Sequence, residues 1–423
     1  MTAITPQFDA TACADAQASD PRTLGWMAGW PPIADKRITY QGDRFLKFPE
    51  VRWTLSHMRE LVPTASVRRG PGPRTAFDTP PDGDSAAIES LTFTDLDGRQ
   101  RNFEDAVQET YTDGIIVLHR GRVVYERYLG ALRPELPHSC FSITKSIAGA
   151  IAASLISDGV LDETKLIPHY IPELRGSAWE DATLRQVIEM ETGLDYGEDY
   201  SDERSGIWDY ARAAGMRPRS SDYNGPDGLY DYLTTIRKKG EHGVGYAYST
   251  LNTEVMAWVM ARVAGRTFGQ MLEESLWGPL GCDEDGYLLI DSAGMPLAGI
   301  GLHATLRDLA RFGELMRREG DWNGRQLIPA AVVHEIQRGG DPAKLAVTGH
   351  RAAVGWSSRN MWYTAHDELE AFMAGGIHGQ RLYIAPKAEM VVVRFASHPF
   401  VTYNGIDPVT RPMLSALGNM LRG

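Results

Sequence analysis

The sequence predicts an α+β fold in which an antiparallel sheet flanked by helices lies beside an all-helical lobe. Strand patterns occur near both ends of the chain, at 114–128 and 381–395, and a long helix-rich stretch separates them. A further helical pattern, Pro408–Leu421, closes the chain. Strands from both halves of the chain are therefore expected to meet in one lobe, with a cleft where that lobe faces the helical insertion.

The first hundred residues are expected to form an N-terminal extension that wraps the fold. Residues 1–35 are polar and irregular, and Arg68–Asp84 is dense in proline and glycine, which is typical of a linker or a surface wrap. The N-terminus lacks a basic start followed by an apolar segment, so a secretory signal is not predicted. We therefore expect a cytoplasmic protein.

The amino-acid composition argues against several classes of binding partner. The chain carries 43 basic and 55 acidic residues, a formal net charge of −12, and this balance opposes nucleic-acid binding. No apolar run is long enough to cross a bilayer, so no membrane partner is expected. The three cysteines are too few and scattered for a disulfide framework or a zinc site, and no metal or cofactor is indicated. The expected partner is a small molecule, and a homodimer is allowed.

The first strand pair is predicted at Gly114–Leu118 and Arg122–Tyr128, joined by His119–Gly121. An apolar stripe of helical period follows, because isoleucines or leucine recur every four residues at Ile143, Ile147, Ile151 and Leu155. Residues 101–157 and 281–423 are therefore assigned to the lobe that contains the sheet.

Residues 158–280 are assigned to the mainly helical lobe, with long substrate loops rich in glycine, aspartate and tyrosine. Leu251–Val263 is the clearest helix of this part, because its apolar residues share one face. Beyond it, Arg381–Ala385 and Met390–Phe395 flank a four-residue turn and predict a β-hairpin.

The strongest chemical signal is Ser142-Ile143-Thr144-Lys145 at the start of the apolar helix. Residues three apart share a helix face, so the Lys145 amine is expected to reach the Ser142 hydroxyl. Burial would lower the pKa of that amine and allow it to accept the serine proton. A helix cap followed by a surface lysine is the alternative interpretation of this motif.

Two later segments strengthen the catalytic interpretation. Tyr248-Ser249-Thr250 precedes a helix, and its phenol could enter the same cleft. Ala374–Gln380 (AGGIHGQ) leads into a strand, where glycines let a substrate lie along the edge and a backbone N–H could complete an oxyanion hole with that of Ser142. A packed tyrosine and a tight turn are the structural alternatives, and a structural role is favoured for His378.

These three elements, in this order, resemble the penicillin-recognising serine hydrolases, whose motifs include S-x-x-K. Within the class C-like branch the chain resembles the 6-aminohexanoate-dimer hydrolases, which cleave nylon oligomers, and their carboxylesterase relatives. The similar stretches, from about residue 110 onwards, include DYGEDYSD at 195–202, YSTLNTEVMAWVMARV at 248–263 and GIHGQRLYIAP at 376–386. The resemblance implies a β-lactamase/transpeptidase-like fold with its active site in the cleft between the lobes.

The resemblance also implies roles for particular residues. Ser142 would be the acylated nucleophile, Lys145 its base and Tyr248 the acid that protonates the leaving group. The backbone N–H of Ile377 would be the second oxyanion donor. Tyr200 and Trp362 fall where relatives contact a linear substrate. Asp209 and His378 are further candidates for substrate contacts.

The chain departs from the family pattern at two places. Penicillin-active members carry Lys-Thr-Gly where this chain has Ala374-Gly375-Gly376, so strong β-lactam turnover is not expected. The lid position that is acidic in efficient nylon-oligomer hydrolases corresponds to Ala211, with Asp209 nearby but not equivalent. The expected activity is hydrolysis of linear amides or short esters. A carboxylesterase with incidental amidase activity and a sensor that stays acylated are the alternatives.

Overall fold

A computed structural model describes residues 14–42, 44–78 and 85–423. Its α-helices are, in chain order, α1 Pro21–Leu24, α2 Val51–Thr54, α3 Ser85–Glu89, α4 Phe103–Glu109, α5 Ile143–Ser157, α6 Ile167–Tyr170, α7 Leu184–Ile188, α8 Gly206–Ala213, α9 Leu229–Thr235, α10 Thr250–Ala264, α11 Phe268–Leu272, α12 Gly278–Leu280, α13 Leu306–Arg317, α14 Ala330–Arg338, α15 Pro342–Ala346 and α16 Asp407–Arg422. Its strands are β1 Thr64–Val67, β2 Thr92–Thr94, β3 Gln100–Asn102, β4 Thr112–His119, β5 Arg122–Tyr128, β6 His138–Ser139, β7 Gly286–Leu289, β8 Leu302–Ala304, β9 Asp321–Trp322, β10 Arg325–Gln326, β11 Ser357–Arg359, β12 Trp362–Thr364, β13 Phe372–Gly376, β14 Gln380–Ala385 and β15 Met390–Ala396.

The central sheet is antiparallel and joins both halves of the chain. Its strand order is β11-β12-β13-β14-β15-β4-β5, so the hairpin β14–β15 pairs with the first long hairpin β4–β5. Both hairpins lie where the sequence predicts them. The turn between β4 and β5 has positive φ at Arg120 (54°) and Gly121 (76°), the backbone that a two-residue hairpin turn requires.

Helices cover both faces of this sheet because its strands are apolar on both sides. Ile115 and Val117 of β4 pack with α4 and α16, whereas Ile116 and Leu118 pack in the larger core. Helix α13 lies against β4, β14 and β15 on the side of that larger core. The closing helix α16 agrees with the predicted helix and contributes Met413, Leu414 and Leu417 to the other core.

The N-terminal segment differs from the simple wrap that its composition suggests. Strand β1 pairs with β7 in a second sheet of order β1-β7-β8-β6. Phe45, Val51 and Leu55 are fully buried in the main core. Composition misses this because a short strand and isolated core residues leave no strong periodic signal. Part of the segment assigned as an extension is therefore integral to the fold.

Helices α6 to α12 form the region between the two sets of strands. The small-residue helix α5 lies at the centre, in contact with α10, α14 and β13. Its residues Ile143 to Ala153 are buried. Helix α5 thus lies between the helical region and strand β13 of the large sheet.

Candidate active site

Ser142 occupies the position immediately before α5. The preceding residue, Phe141, has a positive φ of 43°, which turns the chain sharply from β6 into the helix. The Ser142 side chain is 5% exposed. A non-glycine residue with positive φ costs energy, so the surrounding packing must hold this turn in place. The hydroxyl is therefore presented from a rigid position at a helix N-terminus.

Lys145 lies one helical turn further along, directly beside the serine. Its Nζ is 3.0 Å from Ser142 Oγ and donates a 2.8 Å hydrogen bond to the carbonyl oxygen of Gly299. Burial lowers the pKa of Lys145 to about 8, against the opposing charges of Glu198 and Glu254. The amine is thus closer to the neutral, proton-accepting form than an exposed lysine would be.

Tyr248 reaches Ser142 from the loop before α10. Its hydroxyl donates a 2.6 Å hydrogen bond to Ser142 Oγ, and the Lys145 Nζ lies 5.0 Å from the centre of its ring. Burial raises the pKa of the Tyr248 phenol well above its usual range. The phenol therefore keeps its proton at neutral pH and is available as a donor. The three side chains predicted to act together are in mutual contact.

Glu254, one and a half turns into α10, supports the lysine from behind. Its carboxylate accepts hydrogen bonds from the Gly299 N–H (2.9 Å), the Ala298 N–H (3.0 Å) and the Tyr210 hydroxyl (2.8 Å). It thereby holds the peptide segment whose Gly299 carbonyl binds Lys145. Burial raises the pKa of Glu254 to about 7, although these hydrogen bonds and Lys145 oppose the rise.

The backbone amides expected to form an oxyanion hole are both available. Ile377 directly follows β13, and a Cβ atom on Gly376 would lie only 2.6 Å from the carbonyl oxygen of Cys140, so this turn packs against the chain that leads into Ser142. Within the described part of the chain, neither the Ser142 nor the Ile377 amide donates to a protein acceptor. Unpaired backbone N–H groups in a cleft are suited to developing negative charge.

A cavity of about 210 Å³ opens beside Tyr248. Its lining is mostly aromatic and apolar, with charged or titratable groups only at a few places. The lining residues are Glu198, Tyr200, Tyr246, Tyr248, Leu345, Thr348, His350, Ala353, Tyr363, Ile377, Thr402, Tyr403 and Arg411. A concave, largely apolar site with a few polar groups is the usual form of a small-molecule site.

Tyr200 and Trp362 have different positions. Tyr200 lines the cavity, and its hydroxyl donates to Glu198 at 3.3 Å. Trp362 is fully buried in the core, with its indole N–H bonded to the Ser146 carbonyl oxygen at 2.8 Å. Successive residues of a strand face opposite sides, so its neighbour Tyr363 reaches the cavity instead. The expected substrate contact is therefore wrong at Trp362.

Asp209 and His378 also lie outside the cavity lining. Asp209 is 59% exposed in the first turn of α8 and forms a 2.6 Å ion pair with Arg212. The His378 ring is buried, and its Nδ1 lies 2.7 Å from the carbonyl oxygen of His398. Neither is placed to touch a ligand in the cavity, which corrects the expectation of substrate contacts. His378 supports the turn that carries Ile377.

Within 14–42, 44–78 and 85–423 no group of three or more histidine, cysteine, aspartate or glutamate side chains is arranged to hold a metal ion. Within the same ranges no helix combines the length and the apolar character that a membrane span requires.

A family model described as "Beta-lactamase" matches residues 100–404. The chain belongs to the beta-lactamase family. It is 32% identical over 372 residues to the 6-aminohexanoate-dimer hydrolase of Paenarthrobacter ureafaciens. This match covers 87% of this chain and 89% of that protein. The fold and the class predicted from the motifs are confirmed, and the chain is a serine hydrolase of the beta-lactamase fold.

Solved structures of this family agree with the fold. A Bacillus anthracis protein with the provisional name 6-aminohexanoate-dimer hydrolase superposes with a TM-score of 0.81 at 29% identity, covering 89% of this chain and 96% of that one. A class C beta-lactamase gives a TM-score of 0.56 at 16% identity, covering 80% and 99%. The latter likeness shows the fold alone.

Several residues of this candidate site were not predicted from sequence. Glu254 lies six positions after Tyr248 in a helix that otherwise reads as a core helix. Arg411 and Tyr403 belong to the C-terminal helix and the turn before it, which carry no motif. Glu198 and Glu254 lay within stretches that the sequence analysis singled out, 195–202 and 248–263, but neither residue was given a role there. Contacts between distant segments gave these residues their roles.

Proposed function

We propose that this enzyme hydrolyses linear amides of the 6-aminohexanoate type, short carboxylic esters, or both, through an acyl-enzyme on Ser142. The observation that carries the proposal is the contact of the Ser142 hydroxyl with both Lys145 (3.0 Å) and Tyr248 (2.6 Å). The name of the 32%-identical Paenarthrobacter ureafaciens relative, a 6-aminohexanoate-dimer hydrolase, supports the choice of substrate.

Acylation begins when neutral Lys145 takes the proton of Ser142 as Oγ attacks the substrate carbonyl carbon. The bond between Oγ and that carbon forms, and the carbonyl oxygen becomes an oxyanion that the Ser142 and Ile377 N–H groups stabilise. Tyr248 then gives its phenolic proton to the leaving nitrogen or oxygen. The bond from carbonyl carbon to leaving group breaks, and the Lys145 ammonium returns a proton to Tyr248.

Deacylation repeats these proton transfers with water as the nucleophile. The Tyr248–Lys145 pair takes a proton from the water as its oxygen attacks the acyl carbon, and the same two amides hold the second oxyanion. The ester bond to Ser142 Oγ then breaks, and Oγ recovers its proton from Lys145. Ser142, Lys145, Tyr248 and the attacking water make every proton transfer of this cycle.

The cavity suits a flexible aliphatic substrate with one anionic end. Tyrosines 200, 246, 248, 363 and 403 supply extended aromatic surface against which methylene groups can pack. Arg411 adds a guanidinium to the lining and shares the buried Asp407 carboxylate with Arg381, while Glu198 adds a carboxylate to the same lining. A free carboxylate, such as that of an aminohexanoate unit, would pair with the Arg411 guanidinium.

A carboxylesterase with incidental amidase activity is the main alternative. An alkoxide leaves without full protonation, whereas an amide nitrogen needs the proton that Tyr248 carries. Tyr248→Phe is therefore expected to reduce amide hydrolysis by about 100- to 10,000-fold and ester hydrolysis much less. Steady-state kinetics on an amide and an ester with the same acyl group measures the two losses, and equal losses would contradict the assigned role of Tyr248.

The other alternative is a protein that is acylated once and stays acylated. Intact-mass measurement after a short pulse of p-nitrophenyl ester separates the two cases. A persistent adduct would indicate a sensor, whereas recovery of the unmodified mass indicates an enzyme that turns over.

The decisive experiment compares Ser142→Ala with Ser146→Ala. Ser146 lies on the same helix one turn further along, but its hydroxyl bonds to the Met361 carbonyl oxygen at 2.6 Å. With p-nitrophenyl esters and 6-aminohexanoate dimer as substrates, Ser142→Ala is expected to abolish hydrolysis and acyl-adduct formation, and Ser146→Ala to keep both. Full hydrolysis by Ser142→Ala would rule out the proposed mechanism.

A further inference from the structure

The turn from Gly376 to Gln380, which carries the Ile377 amide, has every carbonyl oxygen held by a defined donor. The Gly376 and Gln380 carbonyls accept from Arg381 Nη1 at 3.2 and 2.7 Å. The remaining three accept from the Gln380 side-chain amide, the His398 N–H and Arg394 Nη1, in chain order from Ile377. A turn fixed at each carbonyl has little freedom to rotate its peptide planes.

The bond to the Gly376 carbonyl matters most, because that carbonyl and the Ile377 N–H belong to the same peptide unit. In a trans peptide the two groups point in opposite directions. By binding the Gly376 oxygen from one side, the Arg381 guanidinium fixes the direction of the Ile377 N–H on the other side. A cation on the carbonyl also polarises the peptide and strengthens its N–H as a donor.

Arg381 is itself held by the C-terminal helix. Its Nη2 forms an ion pair with Asp407 at the start of α16, and its guanidinium lies 4.6 Å from the centre of the Tyr403 ring. Both members of the ion pair are fully buried. The second oxygen of Asp407 accepts from Arg411 Nε at 2.8 Å, and Arg411 lines the cavity. A continuous set of contacts thus joins α16, the substrate cavity and the turn.

We propose that Arg381, held by Asp407, is a positioning residue for the oxyanion hole, which aims and polarises the Gly376–Ile377 peptide for the transition state. The inference rests on the proposed function, because it assigns Ile377 as the second oxyanion donor. It extends that function to a residue that touches neither the substrate nor the reacting atoms. A group acting only in this way affects stabilisation of the oxyanion more than binding of the ground state.

The test measures kcat, KM and inhibition by a phenylboronic acid, whose tetrahedral adduct on Ser142 mimics the oxyanion. Active-site titration with a p-nitrophenyl ester gives the fraction of competent enzyme, so that losses from misfolding are removed. The variants are Arg381→Met and the conservative Arg381→Lys. Arg311→Met is the matched control, because Arg311 is 1% exposed, pairs with Asp308 and binds the Thr75 carbonyl oxygen, and none of these three residues lines the cavity.

We expect Arg381→Met to lower kcat per titrated site by at least tenfold and to weaken boronate inhibition by a similar factor, with KM within about threefold. Arg381→Lys keeps the charge and should recover part of both losses. Arg311→Met should lower thermal stability and leave kcat per site unchanged.

Two results would overturn the inference. One is a kcat per site and boronate affinity within twofold of wild type for Arg381→Met, or for Arg381→Gln, which also removes the charge, should the methionine variant not fold. The other is an equal loss in Arg311→Met. Failure of the proposed function would look different, since the wild-type enzyme would then form neither an acyl nor a boronate adduct on Ser142.

Discussion

At the scale of single residues, burial shifts the pKa values of three side chains at the candidate site, Lys145, Tyr248 and Glu254. Lys145 is buried beside Ser142, and Glu254 holds the Gly299 peptide to which its amine bonds. The S-x-x-K spacing predicted that serine and lysine would meet. It could not predict Glu254, because a carboxylate in the middle of a helix has no local signature until the fold brings the 298–299 loop against it.

The lowered pKa of Lys145 predicts the direction in which the rate changes with pH. Burial lowers the pKa of Lys145 to about 8, and in the proposed mechanism only the neutral amine accepts the Ser142 proton, so kcat/KM should rise with pH and level off above that value. Glu254→Gln removes a negative charge that favours the ammonium form, so the midpoint should move to lower pH. Rate measurements on an ester from pH 5 to 10 check both statements.

The control for this profile is Glu314→Gln, a buried carboxylate that pairs with Arg317 at 2.7 Å. It should leave the midpoint where it is in the wild-type enzyme. A Glu254→Gln midpoint that is unchanged or higher would show that the carboxylate does not act on Lys145.

Adjacent residues of β12 offer a second test at this scale. Tyr363 lines the cavity, with its hydroxyl 2.9 Å from that of Tyr246, whereas Trp362 is buried in the core. Tyr363→Ala should raise KM with little change in unfolding free energy. Trp362→Phe should cost about 0.5–3 kcal/mol of stability and leave KM unchanged. Steady-state kinetics and urea denaturation measure these effects. A raised KM for Trp362→Phe together with an unchanged KM for Tyr363→Ala would contradict the assignment of Tyr363 to the cavity side of β12.

At the scale of elements, the segment between α7 and α10, which includes α8 and α9, carries Glu198 and Tyr200 to the cavity. The two ends of this segment must approach each other closely for it to do so. The closure is made where Gly193 meets Gly240. A Cβ atom on Gly193 would lie 2.2 Å from the Gly240 carbonyl oxygen, whereas one on Gly240 would find only an ordinary 3.8 Å contact. Leu194 also forms an isolated bridge with Lys238.

This asymmetry gives a matched pair of variants. Gly193→Ala should force the base of the loop apart, costing about 1–3 kcal/mol of stability and lowering kcat/KM, since Tyr200 and Glu198 move with the loop. Gly240→Ala places the same methyl group at the same contact and should be tolerated. Thermal denaturation and steady-state kinetics measure the two effects. Equal stability and equal kcat/KM of the two variants would contradict the close approach of Gly193 to the Gly240 carbonyl oxygen.

At the scale of the whole molecule, residues 44–67 belong to the folded core. Phe45 is fully buried in the main core, whereas Ile33 of the same N-terminal region is 66% exposed. Phe45→Ala should therefore lower the free energy of unfolding by about 3–5 kcal/mol, and Ile33→Ala by less than about 0.5 kcal/mol. Urea denaturation measures both, and a tolerated Phe45→Ala would mean that the region is only a wrap.

By itself the sequence determined the class of fold, both long hairpins, the helices α5, α10 and α16, and the three side chains that meet at Ser142. These features have strong local signals, because periodic burial and short motif spacings are properties of neighbouring residues. The tertiary structure alone decided that β1 joins a sheet, that Tyr363 rather than Trp362 faces the cavity, and that Asp209 points to solvent. It also placed Glu254 behind Lys145 and Arg381 behind the Ile377 peptide. Each of these depends on which face of an element is buried against a partner far away in the chain, and a sequence pattern does not encode that choice locally.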